Sequence, residues 1–160
     1  MDTFLAVASR REVRDYTDQP ISEEIVHRIL DAGRLSGSSR NTQQWQFVVV
    51  KDREALAATV FAPGNIIGAS LAVAIAGSAF PFDMGRAAQN MMLTAWNEGI
   101  GACPNGISDA EAAERIVGAK VSIVLSFGYP AKPRDPESRS ADDWSARANR
   151  KPLDELVRRV

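Results

Sequence analysis

The stretch DMGRAAQNMMLTAWNEG, residues 83–99, constrains this chain more than any other. At helical spacing Met84, Ala88, Met91 and Ala95 share one face, and Leu93 and Trp96 carry the apolar character further round. A helix apolar on so much of its girth must be buried, within its own chain or against a second subunit. Gly99 and Gly101 are expected to end it. The chain supplies partners for such a helix. WQFVVV and KVSIVLSFGYP are rich in β-branched and aromatic residues, and SLAVAIAG is an apolar run that reads as a buried strand. At 160 residues and 45% apolar content, a single domain over 1–160 with a real core is expected.

Shorter helices are predicted around these elements. Thr3 to Arg10 carries Phe4, Leu5, Val7 and Ala8. In PISEEIVHRILDAG, Ser22 is placed to cap, and Glu23 and Glu24 put negative charge in the first turn. Ile21 and Val26 are placed for a hydrophobic staple, Ile25, Val26, Ile29 and Leu30 form one stripe, and Gly33 marks the end. A helix from about Arg53 to Val60 follows the first strand, and a Pro-Gly-Asn loop leads to the second. In ISDAEAAERIVG, Ser108 and Glu111 make a capping-box pattern. From Pro130 the chain turns rich in proline and charge, with a lone Trp144. So polar a segment is either disordered or laid across another surface.

Several functions are disfavoured. Nineteen basic and 20 acidic residues leave a net charge of −1, which argues against nucleic-acid binding through a broad basic surface. One cysteine, Cys103, forms no intrachain disulfide, and no spacing suggests a metal site. The N-terminus lacks a basic region ahead of its apolar stretch, and ASLAVAIAGSAF is too short to span a bilayer. A reducing cytoplasm and no membrane partner are therefore expected. The single histidine, His27, lies off the apolar stripe of its helix. No nucleophile elbow, Walker loop or dinucleotide fingerprint is present. If the chain is an enzyme, a bound cofactor carries the chemistry.

The segment SRREVRDY places three arginines within five positions, with Arg10 and Arg14 on one face of either a helix or a strand. Two readings stand level on these residues alone. One is a surface network with Glu12, Asp15 and Asp18, and the other is a clamp for a phosphate, which favours bidentate guanidinium partners.

Taken in order, SRREVRDYTDQPISEEIVHRILDAGRLSGSSRNTQQWQFVVV, AAQNMMLTAWNEGIGACPNGISD, FGYP and RKPLDELV resemble the nitroreductase family of FMN-dependent NAD(P)H oxidoreductases over nearly the whole chain. The resemblance implies an α+β fold with a central, mainly antiparallel sheet flanked by helices. It also implies an intertwined homodimer with FMN at the subunit interface, in which residues 130–160 form an arm crossing to the partner.

Residue by residue, the resemblance matches Arg10 and Arg11 to the pair holding the FMN phosphate, and Arg14 to a basic position near the flavin or its ribityl chain. Ser38, Ser39 and Asn41, with Gln43, match the loop that the partner subunit lays against the isoalloxazine. Asn41 and Gln43 also read as ordinary loop amides closing turns. Pro104, Asn105 and Gly106 match the turn whose backbone N–H, at Asn105 or Gly106, reaches flavin N5, and Arg150 and Lys151 match a basic pair returning to the phosphate. Gly106 doubles as a simple turn before the next helix; glycine lets a backbone N–H approach a planar ring closely. Cys103 reads as a small buried filler, and Trp45 and Trp96 as core.

There are departures. Gly37 and Gln44 stand where prolines are common, Glu12 where serine is common, and Arg40 where a small residue is common. SAFPFD joins strand to helix almost directly, which implies a more open flavin face. The expected activity is ping-pong hydride transfer from NADH or NADPH to a nitroaromatic, quinone or similar acceptor, with chemistry at flavin N5 and no side chain required as acid or base. The alternatives are a same-fold enzyme with dehydrogenase, dehalogenase or flavin-cleaving chemistry, and a flavin-binding accessory protein without turnover.

Overall fold

In the computed structural model, which describes residues 1–160, the elements run α1 (Thr3–Ser9), α2 (Glu23–Arg34), β1 (Trp45–Val49), α3 (Arg53–Ala57), α4 (Gly64–Ile67), β2 (Leu71–Gly77), α5 (Pro81–Asn97), β3 (Gly101–Asn105), α6 (Ala110–Val117), β4 (Val121–Gly128), α7 (Ala141–Ala146) and α8 (Leu153–Leu156). Two compact units emerge: Met1–Arg10 with Asp135–Val160, and Arg11–Arg134.

The larger unit is built on a four-stranded antiparallel sheet in the order β1-β2-β4-β3. This is the expected α+β class. Strand β2 is buried on both faces, which explains its unbroken apolar run. Alternation along it sorts two cores. Leu71, Val73 and Ile75 pack with Ile29 of α2 and with Met84, Ala88, Met91 and Ala95 of α5. Ala72 and Ala74 pack on the opposite side with Leu56, Ala57 and Ile66 of α3 and α4. The long helix is buried as its girth required, with Ala87, Met92 and Trp96 also inside.

Local chemistry accounts for most boundaries. The Ser22 hydroxyl accepts from Ile25 N–H at 3.4 Å, with Glu23 and Glu24 in the first turn. Gly33 does not stop α2. A β-carbon there would lie 2.9 Å from Met91 Sδ and 3.0 Å from Phe47, so the glycine instead lets α2 and α5 approach. Pro63-Gly64-Asn65, expected as loop, enters α4. Helix α6 is capped by Asp109, whose carboxylate accepts from Ala112 N–H at 2.9 Å, and not by Ser108. The N–H groups of Ser108 and Asp109 both donate to Thr59 O, at 2.8 and 3.2 Å.

Two elements depart further from expectation. GACPN, whose Pro104 and Asn105 were expected in a turn, is strand β3. The charged tail forms two short helices. Ser140 caps α7 by accepting from Asp143 N–H at 3.1 Å, and Trp144 Nε1 donates to Pro136 O at 2.8 Å with Arg139 over its ring. No helix is long and apolar enough to cross a membrane.

Candidate active site

The arginine-bearing segment is extended, and β3 fixes its course. Val13 N–H donates to Ala102 O at 3.1 Å, and Glu12 and Ala102 form a parallel bridge. Space for the segment comes from two glycines paired across β3 and β4, Gly101 and Gly128. A β-carbon on Gly101 would fall 2.6 Å from Val13, and one on Gly128 would fall 2.8 Å from the Tyr16 ring. Tyr16 Oη donates to Val13 O at 2.6 Å and lies 3.1 Å from Ser126 Oγ. Burial pushes this phenol well above the ordinary tyrosine range.

With the backbone so placed, Arg14 is exposed beside a cleft of about 210 Å³ lined also by Glu12, Asp15, Lys132 and Arg134. Ala131 N–H donates to Asp15 O at 3.0 Å, which brings the cations of AKPRD beside the N-terminal segment. Lys132 and Arg134 were not singled out in the sequence, where they belong to a charge-rich tail. The available signal was their position directly after the last strand.

The expected turn is absent: Pro104 and Asn105 are the last residues of β3, and Gly106 follows, ahead of a bridge between Ile107 and Val60. Pro104 lies on an edge strand, where the missing N–H breaks no ladder. Because Ala102 turns its backbone toward Val13, alternation directs the backbone of Asn105 toward β4. That leaves Gly106 as the candidate donor. Gly106 is exposed, and its carbonyl, rather than its N–H, is engaged, accepting from Phe61 N–H at 3.1 Å. The Phe61 ring lies 3.3 Å from where a β-carbon on Gly106 would stand and is itself 77% exposed. Asn105, by contrast, is buried.

Ser38, Ser39, Asn41 and Gln43 fall together on one loop. Gln43 N–H donates to Ser38 Oγ at 3.0 Å, and Gln43 Nε2 donates to Asn41 O at 3.2 Å. Arg40, Asn41 and Gln43 all have left-handed backbone, with φ of 52°, 56° and 49°. Such conformations persist only where the surroundings hold them. The hold comes from Asp83 in the first turn of α5. Its buried carboxylate accepts from Ser39 N–H at 2.9 Å and lies 3.7 Å from Arg86.

The remaining predicted residues divide between the units. Arg10 follows α1 as its C-cap and is half-buried. Arg150 and Lys151 are exposed in the same unit, with Arg150 Nη1 donating to Ala148 O at 3.0 Å. Arg11 belongs to the larger unit. A second cavity of about 480 Å³ opens beside β1, with Leu30, Trp45 and Phe47 for its apolar lining and His27, Asp31, Arg34 and Gln43 around them. There the Arg34 guanidinium holds the Asp31 carboxyl below its usual range.

Comparison with known proteins identifies the family. The model of the nitroreductase family matches residues 7–72 and 70–129. The chain belongs to the nitroreductase family. A relative from Archaeoglobus fulgidus, provisionally named NADH dehydrogenase/NAD(P)H nitroreductase, is 34% identical over 149 residues, covering 81% of this chain and 86% of its own. A similarly named protein from Methanothermobacter thermautotrophicus is 30% identical over 153 residues, covering 82% and 79%. Among solved structures, a provisionally named nitroreductase from Desulfovibrio desulfuricans in complex with FMN superposes with a TM-score of 0.81 at 26% identity, covering 98% of this chain and 96% of that one. This nitroreductase-family chain thus shares its fold with an FMN-containing protein over nearly its full length.

Proposed function

We propose that this nitroreductase-family protein is an FMN-dependent NAD(P)H oxidoreductase. The observation that carries the reading is Gly106: an exposed glycine just past an edge strand, its carbonyl held by the Phe61 N–H, with its N–H turned away from β4 if strand alternation continues through it. These residues fit a flavin. Glycine permits close approach to a planar ring, and N5 of oxidised flavin needs a hydrogen-bond donor. When bound, FMN supplies ping-pong hydride transfer from NADH or NADPH to a nitroaromatic, quinone or similar acceptor.

The chain's own residues hold and orient. Arg10, Arg11, Arg150 and Lys151 hold the phosphate through charge-assisted hydrogen bonds. Arg14 approaches the flavin or ribityl chain, and Lys132 and Arg134 add positive potential beside it. Ser38, Ser39, Asn41 and Gln43 form the loop that a partner subunit presents to the ring. Pro104 and Asn105 end the strand from which the Gly106 N–H follows. The functional form is a homodimer in a reducing cytoplasm, with residues 130–160 crossing to the partner. Leu153, Leu156 and Val157 of that arm are exposed, and so are Leu35, Phe80 and Phe82 of the larger unit, apolar surface of the kind a subunit interface covers.

The test is an absorption spectrum of the purified protein, with the ligand released by heat and identified. FMN at close to one per chain, together with NAD(P)H oxidation driven by an added nitroaromatic, supports the reading. A colourless protein that also fails to take up added FMN overturns it.

A further inference from the structure

Asn105 presents a puzzle that the proposed site does not require. It is 3% exposed, among Cys103, Val124 and Ser126, in a place an aliphatic side chain would fill at no polar cost. Its amide is nonetheless fully engaged. Nδ2 donates to Cys103 O at 2.9 Å and Ser126 Oγ at 3.1 Å, with Val124 O at 3.3 Å, and Oδ1 accepts from Asn65 Nδ2 at 2.9 Å. Ser126 Oγ continues the network to Cys103 O at 3.2 Å and to Tyr16 Oη at 3.1 Å.

Two features give this network a direction. The peptide that follows Asn105 is the one whose N–H belongs to Gly106; its carbonyl is that of Asn105, at the last pair of the β3–β4 ladder, so whatever holds this strand end aims that N–H. Asn65 also lies on α4, a few residues beyond Phe61, whose N–H holds the Gly106 carbonyl. One buried amide therefore ties together the strand end, the segment that braces Gly106, and the Tyr16 side of the arginine-bearing segment. Fully satisfied buried polar networks of this kind fix a unique local geometry.

We propose that Asn105 is a positioning residue: held by Asn65 and Ser126, it sets the direction of the Gly106 N–H toward flavin N5. The proposal rests on the FMN reading above. It assigns Asn105 no contact with the cofactor through its own side chain.

The test uses full-length protein loaded with FMN enriched in 15N, comparing wild type with Asn105→Leu, near-isosteric and unable to make the network, and with the half-buried Asn65→Leu. Loss of a hydrogen bond at N5 moves its 15N resonance downfield. Both variants are expected to show that shift while retaining FMN with affinity within about tenfold of wild type, the loss of one hydrogen bond, because the phosphate contacts are untouched. An N5 resonance unmoved in both folded, FMN-loaded variants overturns the proposal and leaves the FMN reading intact. Release of FMN from both folded variants also overturns it. A wild-type protein that takes up no FMN removes the FMN reading and this inference together.

Discussion

Tyr16 occupies the space that a side chain on Gly128 would need: a β-carbon there would lie 2.8 Å from the phenol ring. Gly128→Ala is therefore expected to displace the ring and lower stability by about 1–3 kcal/mol, read from urea or thermal unfolding. Gly85, exposed in α5 with nothing within 4 Å of its missing β-carbon, is the contrasting site. Gly85→Ala should raise stability by about 0.5–1 kcal/mol. Equal effects at the two positions would contradict the packing described.

Tyr16 also makes stability depend on alkaline pH. Its folded pKa lies above the ordinary value of 10.0, chiefly through burial. Above pH 10 the unfolded state releases a proton that the folded state retains, so this contribution is complete below about pH 10 and is lost as pH rises toward the folded value. Tyr16→Phe should cost about 1 kcal/mol at neutral pH and flatten the alkaline fall. An unchanged slope above pH 10 in denaturant titrations would show that the phenol does not titrate as described.

The Arg14 cleft should answer to salt and substitution. Arg14→Gln is expected to weaken FMN binding about tenfold, measured by quenching of flavin fluorescence, with a smaller loss at high ionic strength where the charges are already screened. Lys132→Gln should act in the same direction and less strongly, through potential rather than contact. Affinity indifferent to both changes would remove this cleft from the site.

Asp83 holds the left-handed loop through Ser39. Asp83→Ala leaves that N–H without its acceptor, at a cost of about 1–3 kcal/mol to the closed loop. Trypsin should then cleave after exposed Arg40 faster than in wild type, with the fragments identified by mass. Unaltered cleavage would place the restraint elsewhere.

The parts of this molecule that were legible are those governed by neighbours in sequence. The girth of α5, the unbroken run of β2 and the Ser22 cap follow from short-range periodicity and capping chemistry. Strand β3 was hidden because Gly-Ala-Cys-Pro-Asn has no β-branched run, and its pairing with β4 is dictated by tertiary context at a sheet edge. Ser108 and Asp109 are both capping residue types, and sequence alone did not choose between them; Asp109 takes the cap, and the N–H groups of both donate to Thr59 O, a carbonyl distant in sequence. Within the candidate site, Pro104–Gly106 and the Ser38–Gln43 loop are contiguous in sequence and could be named. Lys132 beside Arg14, and Asn65 bonded to Asn105, are joined only by folding.

The two edges of the sheet are chemically unlike. On β3 the outer edge is taken up by the Glu12–Ala102 bridge and interrupted at Pro104, which has no N–H to offer. On β1 the outer edge carries no strand of its own chain. Growth of an amyloid-like ribbon requires each added molecule to expose a fresh receptive edge. Here a strand that docks on β1 finds no second face on which the stacking can propagate. By this geometry, pairing between two β1 edges joins two molecules and leaves a third no comparable edge, with Pro104 one of the residues that closes the other side.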